Sequence, residues 1–506
     1  MLAAFLAGAI GVFAFAPFHA WPIAPLSMAI LFALWHHANS AKHAAAIGLV
    51  WGLGLFLAGA SWLYVAIHVY GEMPAPLAAF AIFLFCCYLA IFPMLAGLAV
   101  HKLCRSHQPV LALLLIMPAC FVANEYVRGW FFSGFPWLIS GYSQTPGGWI
   151  LAPLAGFAPM VGVFGISWLL ALTAGALLLL LPPLSGMAVS KRGVSILSVA
   201  ILWVWGAGAA LLQISWGAPS GAPLSVALVQ GNIGQDLKWR DDQREITRAK
   251  YFNLVKDIDA KLMVLPETAE VTLLQDIPTD YLTALQSRAK KNGGDLIMGV
   301  PIAERDGQSG NLLRYTNSAI SLGVSAPQRY DKHHLVAFGE FIPPLFSWVY
   351  QWLNIPLGTF TPGAETQAPM RVSGHFTSVN ICYEDAFGSE IARALPDAEL
   401  LINIGNMAWY GRSLAADQQV QFSQMRAMET SRWMLRSTNT GLTAAINERG
   451  EIVKSLPQFT AGVLAIEATP RQGVTPYMRW RDAPVLMGLA MALLAAAWLS
   501  RSQKTS

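Results

Sequence analysis

The sequence predicts a helical membrane segment of many spans joined to a polar α/β domain. Three observations carry this. Residues 1–216 hold six Lys and Arg (Lys42, Lys102, Arg105, Arg128, Lys191, Arg192) and two acids (Glu72, Glu125), while most of the charge follows after them. The chain has 18 Trp and 25 Phe, with a mean hydropathy of +0.47, a balance that fits a membrane protein better than a soluble one. Beyond residue 216, β-branched runs alternate with helical periodicity. The expected division is a membrane domain of seven helices over 1–216, an α/β domain over 217–482, and a last helix with a tail over 483–506. The net charge of +4 is spread thinly, without the clustered basic face of a nucleic-acid-binding domain.

A bilayer core takes about 20 mostly apolar residues per helix. Apolar runs near 2–17, 21–36, 45–68, 75–99, 109–126, 158–182, 193–214 and 483–500 give eight expected spans. The first two are short and are separated by Pro17 and Pro22. The first run lacks a charged n-region and further apolar runs follow at once, so it reads as a retained helix rather than a signal peptide. Loops after the second, fourth and sixth spans carry Lys42, then Lys102 and Arg105, then Lys191 and Arg192, and the tail carries Arg501 and Lys504. Loops of the opposite face carry only Arg128. The positive-inside rule therefore places both termini in the cytoplasm and the polar block outside it. Arg479 and Arg481, just before the last span, run against the rule, which large translocated domains obey only loosely.

Within the polar block, strand-like runs fall at 225–230, 262–265, 295–300, 317–322, 377–382, 399–404, 434–438, 442–447 and 462–466. Helices are expected over 279–292, which ends in a basic turn and Gly293-Gly294, and over 418–433. This alternation over about 250 residues predicts one α/β domain with a largely buried sheet. No internal repeat or low-complexity tract interrupts it. Residues 341–364 depart from the pattern. They contain no charged side chain but include Phe341, Phe346, Trp348, Tyr350, Trp352 and Phe360, broken by Pro343, Pro344 and Pro356. Such a stretch is either a loop covering the core or a lid that meets the membrane surface, where Trp and Tyr settle.

Cys382 is the only cysteine of the polar block; Cys86, Cys87, Cys104 and Cys120 lie in the apolar half. It therefore has no partner for a disulfide within its own domain, which leaves inert core, metal ligand or nucleophile. Two further segments favour the nucleophile. Glu267 in Leu-Pro-Glu267 and Lys332 in Tyr-Asp-Lys332 each follow a β-run. Taken singly, they read as a surface ion pair and a solvated lysine. Together with Cys382 they stand where strands meet loops, the edge at which sites of open α/β folds assemble. A thiol at its ordinary pKa needs a base. A carboxylate accepts its proton, and an ammonium favours the thiolate and an oxyanion. The three residue types together suit acyl transfer without histidine.

Leu-Pro-Glu267, Tyr-Asp-Lys332-His-His-Leu-Val-Ala-Phe-Gly-Glu340 and Asn-Ile-Cys382-Tyr-Glu384 resemble the three signatures of the nitrilase (carbon–nitrogen hydrolase) superfamily. With eight spans around them, the resemblance narrows to the apolipoprotein N-acyltransferase family. Gly134-Phe-Pro-Trp137 with Gly141-Tyr-Ser-Gln144, Gln230-Gly-Asn232 with Lys238-Trp239, and Arg436-Ser-Thr-Asn439-Thr-Gly441 look like that family too. The resemblance implies a nitrilase-like αββα sandwich and a reaction in two halves. Cys382 takes a fatty acyl chain from a phospholipid, typically phosphatidylethanolamine, and the thioester passes it to the α-amine of a diacylated apolipoprotein. Glu267 is then the general base and Lys332 an oxyanion stabiliser. Glu340 and Glu384 are supporting acids, Tyr383 and Trp239 shape the acyl pocket, and Trp137, Trp409 and Asn317 join the candidate substrate contacts. The 341–364 stretch and the Phe-Pro-Trp137 loop become candidates for an apolar gate that keeps water from the thioester. The resemblance further implies a bacterial inner membrane with a periplasmic catalytic domain. A monomer without cofactor or metal is expected.

One departure stands out. Asn406-Met407-Ala-Trp409-Tyr410-Gly411 occupies a region where the family usually reads Asn-Asp-x-Trp-Phe-Gly, so Met407 replaces an acid. Trp409 reads equally as core or pocket. Two competing functions remain at this point. One is a membrane-tethered amidase or nitrilase using the same Glu267, Lys332 and Cys382. The other is a transporter with an inactive nitrilase-like module, against which only Glu125 and Arg128 stand near a membrane edge, with no chain of buried ionisable residues to mark a pathway. His333-His334 lacks partners at metal-ligand spacing.

Overall fold

A computed structural model describes residues 1–104, 109–181, 190–307, 309–343 and 360–505, with side chains described to residue 500. The chain divides into two compact units: Met1–His68 with Met73–Ile214 and Arg479–Ser506, and Val69–Glu72 with Ser215–Met478.

The first unit is helical. Among its described residues six helices are long and apolar enough to cross a membrane: Ala41–Gly59, Ala75–Cys104, Pro109–Ser133, Pro153–Leu180, Lys191–Leu211 and Ala483–Ser500. Leu2–Ala14 and Ile23–His36 are also apolar helices but shorter. At 1.5 Å per residue they reach about 21 Å or less, against a hydrocarbon core of about 30 Å. Thus six of the eight expected runs meet the length of a span and two form shorter helices. The run expected to reach residue 68 stops at Gly59 and resumes as an α-helical turn over Leu63–Val65 that passes into a π turn over Ala66–Tyr70. A second π turn, Ala112–Ile116, precedes Pro118, whose ring crowds the carbonyl one turn back and removes an N–H.

Small residues and caps explain how these helices form and pack. Ser40 and Ser190 cap their helices by accepting from the N–H of His43 and Gly193, each at 3.1 Å. Helix Ala41–Gly59 approaches Ala75–Cys104 so closely that a Cβ at Gly48 would fall 2.1 Å from the Pro93 carbonyl oxygen; only glycine allows this contact. Buried Glu125 accepts from the Ser140 N–H at 2.8 Å and its hydroxyl at 2.9 Å. Arg128 donates to the Trp137 carbonyl at 2.8 Å. These polar groups are thereby satisfied in an apolar unit, and they tie down the 134–144 segment. Trp137 is buried there, stacked on Phe135 with ring centroids 5.0 Å apart.

The second unit holds two six-stranded sheets among its described residues. In chain order its strands are β1 Ala218–Pro219, β2 Leu224–Gln230, β3 Leu262–Val264, β4 Asp295–Arg305, β5 Leu312–Gly323, β6 Arg329–Asp331, β7 Met370–Val372, β8 His375–Ile381, β9 Leu400–Gly405, β10 Trp433–Thr438, β11 Ala444–Ile446, β12 Ile452–Ser455, β13 Gly462–Ala468 and β14 Arg471–Gln472. One sheet runs β13-β2-β3-β4-β5-β6 and the other β12-β11-β10-β9-β8-β7, with β1 and β14 forming a small separate pair. Each large sheet has parallel strands at its centre (β2-β3-β4 and β8-β9-β10) and antiparallel strands at its edges.

Strand periodicity builds the layers. Val226 and Leu228 of β2 point into a core shared with Val379, Ile381, Ile402 and Leu435 of the other sheet. Their neighbours Ala227 and Val229 face the opposite way, onto Tyr251 and Val255 of helix Arg244–Val255 and Leu285 and Ala289 of helix Thr279–Lys291. On the outer face of the second sheet, Leu401 and Met434 pack with Ala427 of helix Ala415–Thr430. The unit is therefore an αββα sandwich.

Boundaries differ from the sequence expectation in physical ways. The helix expected over 418–433 is Ala415–Thr430, because Ser431 turns left-handed at φ 52° and Trp433 already belongs to β10. The run at 317–322 is the buried part of β5, which extends to Leu312 by pairing with β4. Backbone pairing carries the strand past the apolar residues. The uncharged stretch 341–364 lies mainly outside the described residues. Its described ends place the Phe360 N–H on the Glu340 carbonyl at 2.8 Å and stack Phe360 on Tyr315 at 4.5 Å.

Candidate active site

Cys382 follows β8 directly and opens a short 3-10 turn, Cys382–Ala386. Its φ of 59° is left-handed, a conformation that a non-glycine residue holds only where its surroundings enforce it. The enforcement is visible. Glu384 reaches back to the Ile381 N–H at 2.7 Å, as an acid in the first turn of a helix does. The Cys382 carbonyl accepts from Asn403 Nδ2 at 2.8 Å. Asn403 Oδ1 in turn accepts from Arg436, whose other acceptors are Asp385 at 2.7 Å and Ser423 at 3.1 Å. All of these partners are buried.

Glu267 follows β3 by three residues. The loop that carries it passes over β4 at Gly299, where any Cβ would come within 2.7 Å of the Glu267 Cα. Lys332 extends β6: its N–H donates to the Asn317 carbonyl at 2.8 Å and its carbonyl accepts from Gly363 at 2.8 Å. Glu340 closes a tight turn with Val336, whose N–H donates to Glu340 Oε2 at 2.9 Å.

These elements bring four side chains into one cluster. Lys332 Nζ donates to Glu340 Oε1 at 2.8 Å and stands 3.4 Å from Glu267 Oε1. Asn317 Nδ2 donates to Glu267 Oε1 at 2.8 Å and to Glu340 Oε1 at 3.1 Å. Burial pulls the Lys332 ammonium down, but Glu340 and then Glu267 outweigh it and hold the pKa well above its ordinary value. The Cys382 thiol is pushed up by burial first and by Glu267 next, with Lys332 acting against both. The resting sulfur is therefore a protonated thiol within electrostatic reach of Glu267 and Lys332, and it needs a base at the moment of attack. The Tyr410 phenol is raised by burial, then by Cys382, which puts it beside the same groups.

The remaining expected residues fall in several places. Glu384 accepts from the backbone N–H of His333 and His334 at 2.8 and 3.0 Å and from the Tyr330 hydroxyl at 3.0 Å. It holds the strand that delivers Lys332 rather than its ammonium. Burial raises its pKa against the pull of those N–H groups. Tyr383 is buried, donates to the Leu335 carbonyl at 2.8 Å, and has Lys332 Nζ 6.0 Å from its ring centroid. Trp239 is 46% exposed. Trp409 is half-buried with its ring edge to Tyr70 at 6.0 Å. Asn317 spans the two carboxylates at the centre of the cluster. Trp137 belongs to the helical unit. Met407 is buried against Gly441, so that position packs as apolar core.

Sequence reasoning passed over Lys238, Asn403, Asn406 and Asn439. Asn439 accepts from the Ile233 N–H at 2.9 Å and donates to its carbonyl at 2.8 Å, and Asn406 donates to Gln235 at 3.1 Å. Together they fix the segment after β2. The signal was available in part, since Arg436–Gly441 stood out as a motif without an assigned task and Lys238 stood beside Trp239 without one of its own.

Comparison with known proteins adds the relationships. Residues 7–176 match the family model described as the apolipoprotein N-acyltransferase N-terminal domain, and residues 225–477 match the carbon-nitrogen hydrolase model. The chain is 41% identical over 499 residues to a protein of Nitrosomonas europaea named apolipoprotein N-acyltransferase, covering 98% of this chain and 97% of that one. It is 42% identical to one of the same name from Ralstonia nicotianae, covering 97% and 92%. Among solved structures, a carbon-nitrogen hydrolase from Helicobacter pylori is 15% identical at a TM-score of 0.34, covering 56% of this chain and 93% of that one.

Proposed function

The chain belongs to the apolipoprotein N-acyltransferase family, and on that premise we propose that Glu267, Lys332 and Cys382 carry a two-step acyl transfer to lipoproteins. In the first step the Cys382 thiol gives its proton to Glu267 while its sulfur attacks an ester carbonyl carbon of a phospholipid. The carbonyl oxygen becomes an oxyanion facing the Lys332 ammonium. As it collapses, the C–O bond breaks and the leaving oxygen takes the proton back from Glu267. A thioester on Cys382 and a lysophospholipid remain. In the second step the α-amine of a diacylglyceryl-cysteine attacks the thioester carbon. Glu267 takes the amine proton and returns it to the departing sulfur, leaving an N-acylated lipoprotein. A thioester is a better acyl donor than an oxygen ester, so the first step is the less favourable one, and formation of the stable amide in the second step draws the sequence forward.

The observation that supports this reading most is the shared cluster of Glu267 and Lys332, 3.4 Å apart, coupled electrostatically to a thiol that rests protonated. A base positioned this way is worth about 10²–10⁴-fold. Glu340 and Asn317 hold the ammonium and the base in place, Glu384 and Tyr383 order the turns that deliver them, and Trp239 and Trp409 offer apolar surface to an acyl chain. The catalytic domain comprises residues 217–482.

The protein is a membrane protein. Its donor is phosphatidylethanolamine and its acceptor a diacylated apolipoprotein, and it acts as a monomer in a bacterial inner membrane. The loop charges at Lys42, Lys102 and Lys191 support cytoplasmic termini and a periplasmic catalytic domain. Incubating the detergent-solubilised protein with phosphatidylethanolamine and a diacylated lipopeptide tests the reading. It expects a lipopeptide heavier by one acyl group with the wild type and none with Cys382→Ala. Free fatty acid with unmodified lipopeptide would instead make the protein a lipid hydrolase.

A further inference from the structure

Lys238 is a buried lysine with too few partners. It ends the four-residue helix Gln235–Lys238 and is 3% exposed. Among the described residues its Nζ donates to one acceptor, the main-chain oxygen of Glu267 at 3.2 Å, and it forms no ion pair. An ammonium carries three N–H donors, and burying one without a counter-ion is costly. Burial accordingly pulls its pKa down to about 8, while Glu267 and Cys382 pull it back up. Those two are the titratable groups that face it; Asp236 on its own helix is exposed. The position is built, not incidental: Asn406 holds Gln235 and Asn439 holds Ile233, so the segment cannot swing Lys238 out to water without breaking buried hydrogen bonds.

The charge count of the cluster says what such a cation does. Lys332 is shared between Glu340 and Glu267, so two carboxylates and one ammonium leave a net charge of −1. Moving the thiol proton to Glu267 does not change that sum. It shifts a negative charge onto sulfur and then onto the oxyanion, next to Glu340, which remains charged. A like charge nearby disfavours this. A second ammonium brings the sum to zero, and in a buried site its effect is larger than in water.

We propose that Lys238 is the second ammonium of the reaction centre, a positioning residue that offsets the negative charge developing at Cys382 and in the tetrahedral intermediate. The inference rests on the two-step reaction proposed above, and alkylation of the thiol tests it without any lipid substrate. The full-length protein is treated with iodoacetamide at pH 7, where Lys238 is still mostly charged, and modification of the Cys382 peptide is followed by mass spectrometry in wild type, Lys238→Met and Lys238→Arg. Loss of the charge should raise the thiol pKa by about one unit and slow alkylation about tenfold, with Lys238→Arg close to wild type. A folded Lys238→Met protein that alkylates at the wild-type rate overturns the proposal, whatever its acyl transfer does.

Should thermal unfolding show that Lys238→Met does not fold, Lys238→Arg decides. Wild-type acylation of Cys382 should decline above about pH 8 as Lys238 loses its proton. A guanidinium stays charged there, so the decline should move to higher pH in Lys238→Arg. The same alkaline decline in both proteins overturns the proposal. Failure of the underlying reaction has a different signature, the absence of any acyl adduct on wild-type Cys382.

Discussion

Lys332 Nζ lies closer to Glu340 than to Glu267, at 2.8 Å against 3.4 Å. The ammonium is thus anchored by Glu340 and only leans on Glu267. A base that gave its full charge to a salt bridge would be a weaker proton acceptor. Glu340 leaves the Glu267 carboxylate free to take a proton while keeping Lys332 charged beside it.

Glu340→Gln should therefore impair chemistry more than assembly. It keeps the shape of the turn but removes the anchoring charge. Acyl transfer should fall about 10–10²-fold, less than the about 10²–10⁴-fold expected for Glu267→Gln, with little change in the melting temperature. Initial rates with a diacylated lipopeptide and thermal unfolding in detergent check both expectations.

Asn317 donates one amide group to two carboxylates. Replacing it with alanine removes the bridge, whereas aspartate adds a third negative charge where like charges already meet. Asn317→Asp should lose more activity than Asn317→Ala, by about tenfold or more. Equal activity of the two variants would mean that the amide acts by shape alone.

Glu384 is a structural acid with three backbone N–H groups on its oxygens, a buried one from Ile381 and two half-buried ones from His333 and His334. Glu384→Ala orphans all three, at about 1–3 kcal/mol each. The variant should unfold well below the wild type, while Cys382→Ala, which disturbs no such bond, should unfold near it. Differential scanning fluorimetry of the full chain in detergent separates the two.

The raised Cys382 pKa has a pH signature of its own. The thiol sits above its ordinary value because burial and Glu267 disfavour the thiolate. Its thiolate fraction, and so its alkylation rate, should still be climbing at pH 9. A plateau below pH 8 would mean a pre-formed thiolate and would remove the need for Glu267 as base in the first step.

Much of this was legible in the sequence. Glu267 and Cys382 could be read because each follows an apolar β-run, Lys332 because it stands in a motif with Glu340, and the αββα layering followed from the resemblance those motifs carry. The rest depended on tertiary contact. β6 was not seen because Arg329–Asp331 is a short, charged strand ordered by pairing with β5. Helix Arg244–Val255 buries only Arg248, Tyr251 and Val255, too few apolar residues to give a helical stripe. Asn317 looked like a substrate contact because an isolated asparagine on a strand does not reveal that its amide lies between two carboxylates. Lys238 looked like half of a motif because burial without a counter-ion is invisible until the fold closes over it. The two N-terminal runs showed their composition plainly, but their lengths were set by the breaks around Pro17 and Pro22.

The central claim is a covalent thioester on Cys382. The most direct measurement is the intact mass of the purified protein after exposure to phosphatidylethanolamine, followed by neutral hydroxylamine, which cleaves thioesters. A gain of one fatty acyl group that maps to Cys382, is removed by hydroxylamine and is discharged by a diacylated lipopeptide is the predicted result. An unchanged mass while the same preparation still N-acylates the lipopeptide would contradict it, since acyl transfer would then bypass Cys382.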